Sequence, residues 1–344
     1  MSYVILGFLW VSFLIYLLTG GADYGVGILE WFSAKQYKEQ IRVNAYRTVG
    51  PVWEANHMWL IIAVVIMFVG FPQIYSTIAI YLHIPLVLML LGIIARGTAF
   101  AFRNYDAVKD NTQHLYNRIY VHSSFITPLF LGIIAGSAVS GQINPNAHSF
   151  LEVYVYDWFN VFSVAVGLFT VFLCGFIAAI YLSGEATDIS GKDLYIKKAK
   201  LMAILGTVCL VIVFCASVYQ GIPLITWLFG NLLSFTTICG ALISFILIWT
   251  RLREKRPLPA RLLTGLTITL FWIAITCGHF PDIVIMKNGT SLSLLDTNIP
   301  KGTVNALGIA LLCGSFFILP SLFYLLYSFN KKKPDDYSSG PSGL

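Results

Sequence analysis

Two carboxylates stand where the chain is otherwise apolar. Asp23 lies in Gly20-Gly21-Ala22-Asp23-Tyr24-Gly25-Val26-Gly27, and Glu54 in Trp53-Glu54-Ala55-Asn56-His57-Met58-Trp59. A charge in hydrocarbon is costly, and a carboxylate there is by default a functional candidate. Asp23 precedes the interface acid Glu30 by seven residues, and Glu54 follows the last basic residue of the same loop, Arg47, by seven. At about 1.5 Å per helical residue, each lies roughly 10 Å inside one membrane boundary. Two acids at matched depth on consecutive helices could relay protons. They could equally be structural. Pro51 suits a first helical turn, where Glu54 would complement the helix dipole. The glycines around Asp23 would let another helix approach closely. Both readings stand on these residues. Glu30, at the helix end, is expected to be solvated.

Metal chemistry finds less support. Glu54 and His57 form a Glu-x-x-His step, but a carboxylate-bridged di-iron bundle needs a second such step and two further glutamates. The chain has no second step. Its six histidines, His57, His83, His114, His122, His148 and His279, form no axial haem pair at one depth, His83 being expected mid-helix, and there is no Cys-x-x-Cys-His attachment motif. No metal site is therefore expected. Trp53, Asn56 and His57 share one helical arc beside Glu54. Arg96, Phe100 and Arg103 share another face. For Arg103 the reading is anchoring at lipid headgroups. For Arg96 that reading competes with a counter-ion role for a buried carboxylate or an anionic cofactor group.

The elements that must position these residues are membrane helices. Of 344 residues, 57% are hydrophobic and 11% charged, against about 25% charged in an ordinary soluble domain. That balance excludes a soluble enzyme, and the absence of a basic stripe excludes a nucleic-acid binder. About 20 apolar residues cross a bilayer. Nine such runs occur, at about 3–28, 51–71, 75–101, 119–140, 158–182, 200–220, 224–249, 261–281 and 304–329, none with the alternation of barrel strands. Alternate connections, their flanks and the C-terminal tail together carry 20 of the 22 Lys and Arg residues, leaving only Lys287 and Lys301 on the other side. Basic loops mark the cytoplasm, so the N-terminus is expected outside and the C-terminus inside. The six cysteines all lie in apolar runs and read as small core residues. The expected fold is all-α, with one transmembrane domain over 1–330. A cytoplasmic tail, 331–344, follows.

Three segments together resemble a family. Asp23-Tyr24-Gly25-Val26-Gly27 resembles a Gly-hydrophobic-Asp-hydrophobic-Gly-Val-Gly signature. Trp53-Glu54-Ala55-Asn56-His57-Met58-Trp59-Leu60 is similar to a Trp-(Asp/Glu)-(Gly/Ala)-Asn-x-x-Trp-Leu motif. Arg96-Gly97-Thr98-Ala99-Phe100-Ala101-Phe102-Arg103 is similar to an Arg-x-x-(Gly/Ala)-Phe-x-x-Arg run. All three are motifs of subunit II of the cytochrome bd-type quinol oxidases, including the cyanide-insensitive branch. The match is specific over residues 15–105 and rests on span count and loop pattern beyond. The resemblance implies a haem-free subunit of a bacterial inner-membrane enzyme that oxidises quinol and reduces dioxygen. It also implies how the spans are grouped: a first four-helix bundle at about 1–140, a second at about 158–281, and a ninth helix at about 304–329. The haems, b and d or b only, would sit in the partner, subunit I. A small single-span subunit, membrane lipids and a structural quinone are further partners it implies. It also implies that Glu54 and Asp23 belong to a proton path from the cytoplasm, supported by Trp53, Asn56, His57, Arg96 and Arg103. Position 54 is Glu where many members carry Asp. A proton-coupled secondary transporter is the alternative from another class; it too uses buried acids and glycine-broken helices.

Overall fold

The computed structural model describes residues 1–50, 53–105, 112–186, 189–295 and 299–331. Pro51, Lys109 and the tail beyond Lys331 lie outside the described residues. Among these residues, nine helices are long and apolar enough to cross a membrane. They are α1 (Ser2–Trp31), α3 (Trp53–Gly70), α5 (His83–Tyr105), α6 (Thr112–Val139), α8 (Val161–Ser183), α9 (Ile189–Gln220), α11 (Leu232–Arg253), α12 (Pro257–His279) and α13 (Lys301–Lys331). Four shorter helices lie between them: α2 (Lys35–Val49), α4 (Pro72–Tyr81), α7 (Phe150–Tyr154) and α10 (Leu224–Phe229).

Local chemistry sets several of the boundaries. Asn160 and Asn231 cap α8 and α11, each side chain accepting from a backbone N–H of the first turn, and Pro257 opens α12, where a missing N–H costs nothing. Two expected spans are broken by turns. The run at 75–101 divides at Leu82 into α4 and α5, so His83 begins a helix and does not sit in its middle. The run at 224–249 divides at Gly230 into α10 and α11. The first basic connection contains the polar helix α2. The connection before α13 carries an antiparallel hairpin, β1 (Asp282–Ile285) with β2 (Ser291–Ser293), pairing Val284 with Leu292 and Ile285 with Ser291. Its turn uses Gly289 at φ +82°, a conformation that glycine adopts freely.

Helix α1 is the centre of the packing. It lies against α3, α6 and α8, while α8 packs on α9, α5 on α6, and α11 on α12. From Gly20 to Glu30 nearly every residue of α1 is buried. The reason is the glycine face: a Cβ on Gly25 would overlap the Cys174 carbonyl of α8, and one on Gly27 would overlap the Ser124 hydroxyl of α6. Close backbone approach of this kind replaces hydrophobic driving force in membrane packing.

Candidate functional site

Because the glycines draw α8 and α6 onto two sides of α1, Asp23 is sealed from solvent, and so is Arg96 of α5. The guanidinium meets the carboxylate as a fork. Nη1 donates to Oδ2 at 2.6 Å and Nη2 to Oδ1 at 2.7 Å, with a further contact from Nη2 to the Asp23 carbonyl at 2.9 Å. Nη2 also reaches the Tyr120 hydroxyl at 3.1 Å, and Nε donates to Ser124 Oγ at 3.1 Å. The Tyr24 and Tyr120 rings each lie 4.9 Å from the guanidinium carbon. Arginine's planar donors suit such a bidentate contact. Of the two readings of Arg96, the structure shows the counter-ion, and its carboxylate is in the same chain.

A second centre follows two helical turns on. Glu30, expected to be solvated, is 1% exposed. Arg42 of α2 approaches its Oε1 at 2.6–2.7 Å, and Arg103 of α5 donates to its Oε2 at 3.0 Å. Arg103 is therefore an ion-pair partner, which corrects its reading as a headgroup anchor. The reason is register: Asp23 and Glu30 are seven apart on α1, Arg96 and Arg103 seven apart on α5, and each acid meets the arginine 73 residues later. Tyr120 joins the centres, since Arg103 also lies over its ring at 4.7 Å.

The Glu54 segment is arranged differently. Glu54 occupies the first turn of α3 and is exposed on this chain, not buried as expected. Among the described residues no hydrogen bond or ion pair joins it to Asp23. Trp53 packs on Phe100, ring centroids 5.1 Å apart. Asn56 is buried. His57 turns inward between Tyr16 and Tyr24, at 6.3 and 6.1 Å, and its Nδ1 is buried without a hydrogen-bond partner. The two tyrosine hydroxyls bond to each other at 3.0 Å. Glu54 heads a stripe on α3 made by Met58, Ile61, Val65 and Phe68, all exposed and spaced as one helical face.

Among the described residues no three His, Cys, Asp or Glu side chains gather as a metal site. His83, His122 and His279 each hold Nδ1 against a backbone carbonyl.

A third acid is buried in a connection, where no sequence pattern marks it. Asp157 sits between α7 and α8, at the end of the fold away from Glu30, and is 1% exposed. Its Oδ1 accepts from the Asn144 amide at 3.3 Å, while Oδ2 has no partner. Burial pushes its carboxyl up to about 6, against smaller opposing pulls from the Asn144 amide and the Lys287 charge. It looked like one of many loop acids; nothing in the sequence marks the fold of residues 140–146 and the hairpin over it.

Comparison with known proteins adds to this geometry. A family model described as cytochrome bd terminal oxidase subunit II matches residues 1–329. The cytochrome bd ubiquinol oxidase subunit 2 of Bacillus subtilis (strain 168) is 27% identical over 337 residues, covering 94% of each chain. The cytochrome bd-I ubiquinol oxidase subunit 2 of Escherichia coli (strain K12) is 25% identical over 191 residues, 53% of this chain and 49% of that one. The solved bd oxidase of Geobacillus thermodenitrificans contains a chain of similar fold, with a TM-score of 0.77 at 19% identity over 96% of this chain and 99% of the other.

Proposed function

The chain belongs to the cytochrome bd terminal oxidase subunit II family, and from that premise we propose that it is the haem-free subunit that supports subunit I and carries protons toward it through Glu54. As a subunit of a bd-type quinol oxidase it is a multi-pass protein of the inner membrane and works in a complex with subunit I. Family membership sets aside the transporter alternative. In the proposal the N-terminus is outside and the tail cytoplasmic, which the excess of Lys and Arg on alternate connections and the tail supports. The helices form two four-helix groups and a ninth helix. The haems, b and d or b only, and the quinol chemistry belong to subunit I. A structural quinone and a small third subunit are compatible with this arrangement.

The observation that carries the proposal is the place of Glu54. It is an exposed acid at the head of an exposed apolar stripe, Met58, Ile61, Val65 and Phe68. An apolar face of this kind fits another protein's helix, and an acid beside it would be enclosed once that helix docks. There Glu54 could take a proton from the cytoplasmic side and pass it into the partner. Asp23 has a different part in the path. Its bidentate contact with Arg96 makes it the residue that holds the α1–α5–α6 frame under the Glu54 turn. Trp53, Asn56 and His57 hold that turn against α5 and α1, and Arg103 closes the frame through Glu30.

Glu54→Gln keeps the volume and hydrogen bonding but cannot cycle a proton. Quinol-driven oxygen consumption per assembled complex should fall about a hundredfold or more, the scale on which one positioned proton-transfer group acts. Glu54→Asp should be mild. Full turnover of the Gln variant would overturn the proton-carrying role and leave Glu54 a structural residue.

A further inference from the structure

Away from this centre, a cleft of about 290 Å³ opens between the basic ends of α9 and α11. Ile196, Trp249 and Leu252 form its apolar wall, and Lys200, Arg253 and Lys255 line it with positive charge. Asp193 is the one acid in the lining, so three cations face one anion. The neighbouring arginines are already engaged: Arg251 and Arg256 share Glu254, at 2.8 and 3.9 Å. Among the described ion pairs, none involves Lys200, Arg253 or Lys255.

The backbone at Lys255 is unusual. It is the one described residue other than glycine with positive φ, at +57°. Its N–H bonds to the Leu252 carbonyl at 3.1 Å, and the Arg256 N–H to the Arg251 carbonyl at 3.0 Å. This is the Schellman ending of a helix, in which the left-handed position normally takes glycine or asparagine. A lysine there accepts backbone strain and places a cation at the cleft. The α11 dipole alone accounts for basic residues in the last turn, but not for a lysine at the position beyond it that glycine fits better.

We propose that this cleft binds the phosphate of an anionic phospholipid headgroup, with Lys200, Arg253 and Lys255 as its cations and Trp249 marking the interfacial level. A basic pocket between membrane helices on the cytoplasmic side is suited to such a headgroup, and tryptophan favours the boundary where headgroup meets chain. The apolar wall favours a lipid over free phosphate, which would gain nothing from Ile196 and Leu252. The site rests on the membrane reading of the chain but not on proton transfer through Glu54.

The test uses the purified, delipidated oxidase complex and counts bound lipid by native mass spectrometry. Phosphatidylglycerol, phosphatidylcholine and inorganic phosphate are the probes. Wild type should bind one phosphatidylglycerol at least tenfold more tightly than phosphatidylcholine. Lys200→Gln/Arg253→Gln/Lys255→Gln should remove that preference. Lys255→Gly guards against misfolding, because it keeps the helix ending and relaxes its backbone. It should melt at or above the wild-type temperature while losing severalfold in phosphatidylglycerol affinity. Equal binding of the two lipids by wild type, or wild-type phosphatidylglycerol affinity in either variant, would overturn the proposal. Displacement of phosphatidylglycerol by equimolar inorganic phosphate would assign the cleft to a free anion and overturn the lipid source.

Discussion

Asp23 and Asp157 are both sealed from solvent, and the chain treats them in opposite ways. Asp23 meets a guanidinium fork with both oxygens engaged and two tyrosine rings around the cation. Asp157 receives one long amide contact, its second oxygen has no partner, and the positive charge that pulls on it, Lys287, acts only through space. Burial by itself therefore says little about what an acid does. The supply of donors decides. A carboxylate surrounded by donors becomes scaffold, and one short of donors becomes sensitive to protons.

The comparison is most easily broken at Arg96. Arg96→Met leaves Asp23 buried and unpaired, a change that typically costs about 3–5 kcal/mol. Little complex should assemble, measured as the amount of this chain that co-purifies with subunit I. The double variant Asp23→Leu/Arg96→Met removes both charges and should recover much of the assembly. If the double variant is as poor as the single one, the pair does more than balance charge.

Asp157 sharpens the contrast from the other side. Its ordinary carboxyl value is 3.8, and burial raises it to about 6 in the folded chain. The native state therefore holds the proton more tightly, and stability falls as pH rises through that window. Asp157→Asn should stabilise the loop and hairpin by about 1–3 kcal/mol at pH 7.5. Hydrogen exchange over residues 140–160 and 282–293 reads this locally. Wild type should slow its exchange, corrected for intrinsic rate, from pH 7.5 to 5, and the variant should not. A smaller effect is expected at Arg42, which is 27% exposed in its side chain and shares Glu30 with Arg103. Arg42→Gln should lower the melting temperature of the complex slightly, by about 1 kcal/mol or less of stability, because Arg103 still neutralises Glu30.

The spans were legible because a membrane helix declares itself by length and apolarity alone. Interruptions such as Leu82 and Gly230 were not, since an apolar run looks the same whether or not it turns. The charged centres were legible in part. Asp23 stood out as an acid in an apolar run, and Arg96 as a possible counter-ion. Glu30 looked solvated because its arginines arrive from α2 and α5, and no local pattern reports that meeting. The equal spacing of Asp23 to Glu30 and of Arg96 to Arg103 was present in the sequence and could have suggested the pairing. The depth of Glu54 can be counted along its helix, but its exposure cannot, because the facing of a side chain depends on which neighbour is present.

The 73-residue interval between each acid of α1 and its arginine on α5 also sets a timetable for biosynthesis. At about 5–20 residues per second, the ribosome delivers Arg96 roughly 4–15 s after Asp23. During that interval the first helix carries an uncompensated acid and cannot rest in lipid as a finished segment. It must stay where water or the insertion machinery can shield it until two more helices emerge. Its close contact with Cys174 on α8 comes later still. The first segment made is thus not fully packed before the fifth long helix has emerged, and correct partnering of its charges becomes a checkpoint on the newborn chain.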